Sequence, residues 1–290
     1  MSFEPRRMPD PQGAPQGPGG GGRALAGRLR AFLRGRWGYP VALVALMVAT
    51  WEVSVRALEV PRYILPAPSL VLATLVAKWP VFALHTGVTL SEVAGGGLLG
   101  VAVGIVLALA MFFLTPLEKA LYPLLITSQN VPVFAIAPLL VVWFGYGFFS
   151  KVMMAAIIVF FPITISVLDG LKRTDPDLIR LFRTMGATRW QILWKLRVPA
   201  AMPALFSGLK LSAIYSTIGA VIGEWVGAGA GLGYLMLSAN AQLRVAEVFA
   251  AILCLTPIGL LLLGLVIALE RWALPWQSRT EGAADAPLAS

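Results

Sequence analysis

Charged residues are scarce in this chain, and cysteine and histidine are almost absent. Only 13% of its 290 residues are Asp, Glu, Lys or Arg, whereas 58% are hydrophobic. Soluble domains carry about 25% charged residues because their surfaces face water. A soluble fold could not bury this much apolar surface, so the composition indicates a membrane protein. One cysteine, Cys254, and one histidine, His85, exclude a disulfide framework and a zinc site built from cysteines.

The same scarcity argues against two further classes of protein. An intramembrane enzyme needs a catalytic constellation, and no Ser–His or carboxylate pair at a useful spacing is present. A net charge of +9 could suggest nucleic-acid binding, but the basic residues fall in particular connections and not along one face with interleaved aromatics. We therefore predict neither an enzyme nor a partner of nucleic acids.

Six apolar segments are long enough to cross a bilayer, which takes about 20 helical residues each. They predict an all-α membrane protein with spans at about 39–58, 86–114, 117–143, 151–168, 203–226 and 245–269. In the second, Gly96-x-x-x-Gly100 and Gly100-x-x-x-Gly104 permit close helix approach. The third is interrupted at Asn130 and Pro132, and such a break needs protein packing or a cavity around it.

The segments outside the spans complete the predicted organisation. Residues 1–22 are rich in Pro and Gly and contain almost nothing apolar, so we predict a disordered basic tail over 1–36. The first apolar run begins too late for a signal peptide and is expected to remain as a span. The transmembrane domain is predicted over 37–276, with a cytoplasmic tail at 277–290.

Basic residues are unevenly divided between the two sides of the bilayer. The N-terminal tail holds seven, and seven lie between spans four and five: Lys172, Arg173, Arg180, Arg183, Arg189, Lys195 and Arg197. With six spans both groups fall on one side, whereas the other side has only Arg62, Lys78, Lys151 and Arg244, with Arg56 at its edge. Because Lys and Arg concentrate in cytoplasmic loops, both termini are predicted to be cytoplasmic.

The connection at 169–202 predicts a short helical elbow. Asp175 and Pro176 suit a helix start, and Gly186 can end that helix in a left-handed conformation. Thr188 can cap a second helix, which we expect to stop before Pro199. The apolar face of the first helix repeats at i, i+3, i+4 and i+7: Leu178, Leu181, Phe182 and Met185.

This elbow resembles the signature loop of permease subunits of bacterial ATP-binding-cassette importers. The resemblance rests on Gly186-Ala187-Thr188-Arg189-Trp190, and on Pro199 at the family's spacing of thirteen from the glycine. The family's Glu-Ala-Ala triplet is absent and is replaced by Arg180-Leu181-Phe182. Met185 completes the residues that the resemblance assigns to coupling with an ATPase.

Other stretches are similar to the branch of that family that serves nitrate, sulfonates, taurine and pyrimidine precursors. They are residues 130–139 with 143–145, residues 223–228 with 231–235, and residues 269–272; the likeness covers about 65–276. It implies the type I importer permease fold in the bacterial inner membrane. It also implies a second permease copy, two ATPase subunits and an extracytoplasmic solute-binding protein as partners.

The expected energy source and cargo follow from this resemblance. No Gly-x-x-x-x-Gly-Lys-Ser/Thr loop occurs, so ATP is expected on the partner subunit and no cofactor on this chain. The cargo implied is a thiamine-pyrimidine precursor or riboflavin, with alkanesulfonate, taurine or nitrate as the alternative. An ion-coupled carrier is a rival, but the spans offer few ionisable groups: Glu92, Lys210, Glu224 and Glu247, each placed near a span end.

Four residues are candidates for the translocation pathway or its gate: Asn130, Pro132, Glu224 and Tyr234. The sequence allows two interpretations of Glu224. It is either a gate or pathway residue, or a carboxylate at the membrane interface that backbone donors satisfy.

Overall fold

The computed structural model describes residues 38–276, and all the regular structure in that range is helical. The tails predicted over 1–36 and 277–290 lie outside the described residues. The chain divides into two compact units between Glu59 and Val60. The first unit contains α1 (Gly38–Ala57), where Glu52 and Arg56 pair at 2.5 Å, as their spacing of four on one helix favours.

The second unit carries the remaining helices. They are α2 (Pro68–Ala77), α3 (Trp79–Phe113), α4 (Thr115–Ser128), α5 (Ala137–Phe144), α6 (Phe148–Lys172), α7 (Pro176–Thr184), α8 (Arg189–Ile192), α9 (Val198–Gly227), α10 (Leu232–Ala241) and α11 (Val245–Ala273). A 3-10 turn covers Val133–Ala135, and a π-helical segment covers Leu193–Arg197.

The described helices include five that are long and apolar enough to cross a membrane: α1, α3, α6, the continuous helix Arg189–Gly227, and α11. The pair formed by α4 and the stretch Val133–Phe144 bends by 92° at the break, and it adds a sixth span if the pair crosses the membrane as one broken span. The predicted interruption at Asn130 and Pro132 is therefore confirmed, and the all-α class with it.

The elbow's second helix was expected to stop before Pro199, and the fifth span to begin only after Pro203; both expectations are wrong. The chain stays helical from Arg189 to Gly227 because the π segment widens the helix just before Pro199. There the N–H of Val198 donates to the carbonyl of Leu193, five residues back. The wider turn leaves room for a proline ring, which in a regular α-helix would collide with the carbonyl four residues earlier.

Helix α6 is wedged between α3 and α9 through small residues. A Cβ on Gly100 of α3 would lie 2.7 Å from Cβ of Val159, and one on Gly219 of α9 would lie 2.7 Å from Cα of Ala155. Neither distance leaves room for a side chain, so the backbones touch on both sides of α6. The glycine spacing predicted close packing, and the structure places this contact within one chain.

Apolar clusters fill both ends of the second unit. At the elbow end, the buried Leu193 and Ala201 join residues of α3 and α6. At the opposite end, Leu232 and Leu235 of α10 pack with Val71 of α2 and with α11. The helices α2 and α10 lie outside the six predicted spans, in segments that were expected only to connect one span to the next.

Candidate functional site

The elbow is built from two capped helix ends, as its residues predicted. Asp175 accepts the backbone N–H of Asp177 at 2.8 Å and so starts α7. Gly186 ends that helix with φ +78°, and the N–H groups of Gly186 and Ala187 donate to the carbonyls of Arg183 and Phe182. These are the two hydrogen bonds of a Schellman motif, in which a residue with positive φ is needed.

The second turn of the elbow is closed by a capping box. The Thr188 hydroxyl accepts the N–H of Gln191 at 3.3 Å, and the Gln191 side chain accepts the N–H of Thr188 at 2.7 Å. Both helix directions are thus fixed by local bonds. The geometry of the elbow does not depend on a partner protein.

One face of the elbow is apolar, basic and uncovered. Met185 is 76% exposed, and Trp190 and Trp194 are each 62% exposed. Exposed large apolar side chains among cations are typical of a protein interface, where aromatic residues and Met supply contact area. The residues that the family resemblance assigns to coupling belong to this elbow: Arg180, Leu181, Phe182, Met185, Gly186, Ala187, Thr188, Arg189 and Trp190, with Pro199 just beyond it.

The elbow is also attached to the spans, through Arg197 and through one side of the partly exposed Trp190 ring. Arg197 donates to the carbonyl of Leu171 at 2.9 Å, and its guanidinium lies 4.9 Å from the ring centroid of Phe112. The Trp190 ring packs against Phe113 at 5.6 Å. The elbow therefore contacts the ends of α3 and α6 and continues directly into α9, so a force applied to it reaches all three helices.

At the opposite end, Glu224 of α9 holds the turn that leads into α10. Its side chain is 1% exposed, accepts the Thr89 hydroxyl at 2.6 Å and accepts the backbone N–H of Gly233. The same Thr89 oxygen accepts the N–H of Leu232 at 2.8 Å. Glu224 is thus satisfied partly by a backbone donor and is buried inside the protein, near the end of α9.

His85 and Tyr234 extend this polar cluster. His85 accepts the N–H of Gly231 on Nδ1 at 2.9 Å, and its ring stacks on Tyr234 with centroids 6.1 Å apart. Gly231 has φ +113°, and a Cβ there would overlap the Glu224 carboxylate. The turn therefore requires glycine for its backbone and for the space that the carboxylate occupies.

Glu92, which was expected near a span end, lies within α3 and is buried. Its carboxyl lies against that of Glu224 and within electrostatic reach of the buried Lys151. The other two groups are paired with charges near helix ends, Lys210 with Glu270 and Glu247 with Lys78, each at 2.6 Å.

The four pathway candidates do not form one cluster. Glu224 and Tyr234 belong to the buried turn, whereas Asn130 and Pro132 are exposed at the break, where Asn130 donates to the carbonyl of Thr127. The roles of Thr89 and His85 were not predicted from the sequence, because their hydrogen-bond partners lie more than a hundred residues away in the chain. A signal was present: His85, Thr89 and Glu92 follow at i, i+4 and i+7 and so share one face of an otherwise apolar helix.

Comparison with known proteins identifies the chain. Residues 100–274, which include the elbow and the Glu224 turn, match the family described as binding-protein-dependent transport system inner membrane component. The chain belongs to this family. It is the permease subunit of an ATP-binding-cassette transport system, a multi-pass membrane component and not an enzyme. Permeases of this kind work with an ATPase and a solute-binding protein. The match confirms the resemblance to importer permeases that the residues of the elbow indicated.

Three relatives show where in the family the permease lies. The formylaminopyrimidine transport permease of Halalkalibacterium halodurans is 39% identical over 83% of this chain and 96% of its own length. The riboflavin transport permease of Chloroflexus aurantiacus is 36% identical over 87% and 95%. The taurine transport permease of Escherichia coli is 30% identical over 85% and 95%.

The Glu224 turn gives a testable prediction. Replacing Gly231 with Ala places a methyl group on the carboxylate and a side chain at positive φ, which should cost about 1–3 kcal/mol of folding free energy. The thermal midpoint of the purified permease in detergent should fall. Gly229→Ala is the matched control, because Gly229 lies in the same loop and has open space around it. Equal midpoints for both variants would contradict the role of the turn.

Proposed function

We propose that this permease imports a small organic solute of the thiamine-pyrimidine precursor or riboflavin type. The support is the identity to relatives: 39% and 36% for the two permeases named for formylaminopyrimidine and riboflavin, against 30% for those named for sulfonates and taurine. Alkanesulfonate, taurine and nitrate are the alternative cargoes.

Binding to the partner solute-binding protein tests the cargo. Calorimetric titration with a formylaminopyrimidine, riboflavin, taurine, an alkanesulfonate and nitrate should give tightest binding to one of the first two. Tightest binding to taurine, a sulfonate or nitrate would overturn this choice of cargo and leave the permease role intact.

The exposed face of the elbow is the proposed docking surface for the ATPase. Its uncovered Met185, Trp190 and Trp194 would enter a groove on that subunit, and nucleotide closure would then move α6 and α9 together. The attachment of the elbow to α3 and α6 supports this route.

A complete pathway is proposed to need two copies of the permease and two ATPase subunits, and a measured complex mass with one permease would contradict that stoichiometry.

The Glu224 turn, with Tyr234, is proposed as the gate of the pathway, and the break at Asn130 and Pro132 as part of its wall. The support for this is that the buried Glu224 carboxylate ties the turn to α3 through hydrogen bonds. Breaking these hydrogen bonds would release the turn. Glu224→Gln should lower uptake while ATP hydrolysis by the complex continues. Unchanged uptake would remove Glu224 from the gate.

Both termini are proposed to face the cytoplasm, on the side of the elbow. In a Cys254→Ala background, cysteines at Arg6 and Thr280 should resist an impermeant thiol reagent in intact cells. A cysteine at Arg62, which is exposed between α1 and α2, should react. The opposite labelling pattern would reverse the orientation.

The elbow's coupling role is tested by two glycines with the same positive φ. Gly186→Val puts a β-branched residue at φ +78° and should turn the helix that carries Trp190 away from the ATPase. Gly145→Val is the control, because Gly145 also has φ +78° and open surroundings but lies between α5 and α6.

Retention of the ATPase on the purified complex, and transport, should fall for Gly186→Val and not for Gly145→Val. Both variants should lose folding stability, and Gly145→Val should lose at least as much, because Gly145 combines φ +78° with ψ 177°, a region open essentially to glycine only. If both lose the ATPase equally, or both keep it, the elbow does not carry the coupling.

A further inference from the structure

A cavity of about 660 Å³ lies where the two ends of the elbow meet the membrane helices, and its lining includes neither the exposed Met185 and Trp190 nor the Glu224 turn. It opens between the end of α6, the first turns of α9 and the end of α11. Its charged lining consists of Arg173, Lys210, Glu270 and Arg271, and Ser207 adds a hydroxyl. Cavities of this size hold small ligands or lipid headgroups, and among the charged residues of this lining the cations outnumber the anions by three to one.

The charges in the cavity do not cancel. Lys210 pairs with Glu270 at 2.6 Å, which neutralises one cation. Within residues 38–276, the side chains of Arg173 and Arg271 take part in no hydrogen bond or ion pair. Two guanidinium groups therefore face the same cavity without a counter-ion from the described chain, although each positive charge favours a nearby anion.

The chemistry of two arginines selects the kind of anion. A guanidinium presents N–H donors in a planar fork that matches the oxygens of a phosphate group. The cavity also lies beside the ends of α6 and α11, and basic pockets between membrane helices bind lipid phosphates. A simple chloride counter-ion would leave most of this volume and most of these donors unused.

The walls of the cavity belong to the two helices that flank the elbow. At its floor α6 and α9 touch, since a Cβ on Gly170 would lie 2.9 Å from Cβ of Ala204. Arg173 follows α6 directly, and Lys210 lies on α9. An occupant held by Arg173 and Lys210 would bridge the end of one helix to the beginning of the other.

We propose that this cavity binds a phosphate group, supplied either by the headgroup of an anionic phospholipid or by a soluble phosphate. The bound group is held by Arg173 and Arg271, with Lys210 and Ser207 at its sides. The proposal goes beyond the transport function, and it is measured by binding alone, so its outcome does not depend on the identity of the cargo.

The test uses the permease assembled with its ATPase, in two arms. In the first, the complex is incorporated into bilayers of phosphatidylcholine with phosphatidylglycerol, and the lipid that remains bound after mild detergent extraction is counted by native mass spectrometry. In the second, inorganic phosphate is titrated into the delipidated complex. Arg271→Gln should weaken binding about tenfold, the effect of losing one charge-assisted contact. Arg271→Lys should restore part of it.

Lys119→Gln is the matched control, since Lys119 is an exposed cation near the elbow end and outside the cavity. If the unmodified complex and Lys119→Gln retain phosphatidylglycerol and Arg271→Gln loses it, the bound phosphate belongs to a lipid. The same pattern in the titration alone supports a soluble phosphate. No binding in either arm, or equal losses in the two variants, would overturn the proposal, because equal losses indicate general attraction to a basic surface.

Discussion

The contact of α6 with α3 on one side and α9 on the other is the constraint on which the rest of the second unit depends. Lipid gives apolar helices no hydrophobic reason to associate, so close van der Waals packing must supply the attraction. Gly100 and Gly219 let the backbones approach α6 from both sides. Because the elbow leaves the end of α6 and runs without interruption into α9, this packing makes the three helices and the elbow one mechanical unit.

The second constraint is that polar groups within the unit must be satisfied from inside the protein. The loop between α9 and α10 is the clearest case, since three successive backbone N–H groups find acceptors on Glu224, Thr89 and His85. The charged residues of the long helices follow the same rule through pairs such as Lys210 with Glu270. In the proposed gate these hydrogen bonds hold the turn in place, and a moving α3 or α9 would have to exchange them.

The features that were predicted correctly are those set by residues close together in the sequence. The break at Pro132, the cap at Asp175 and the positive φ at Gly186 follow from the chemistry of one residue and its near neighbours, and all three are observed. The continuation through Pro199 was missed because a π segment changes what a proline does to a helix. The partners of Glu224 were missed because Thr89 lies on another span, and no local pattern reports a contact between distant segments.

The central claim is that the elbow transmits the motion of the ATPase to α6 and α9 as a rigid body. The most direct measurement is the distance between spin labels at the exposed Arg183 and Leu211 of one chain, in a Cys254→Ala complex diluted with unlabelled permease. A second sample, labelled at Leu211 alone, gives the distance between copies. On nucleotide binding the account predicts an unchanged distance within the chain and a shift of the distance between copies. A change within the chain, with the distance between copies constant, would contradict it.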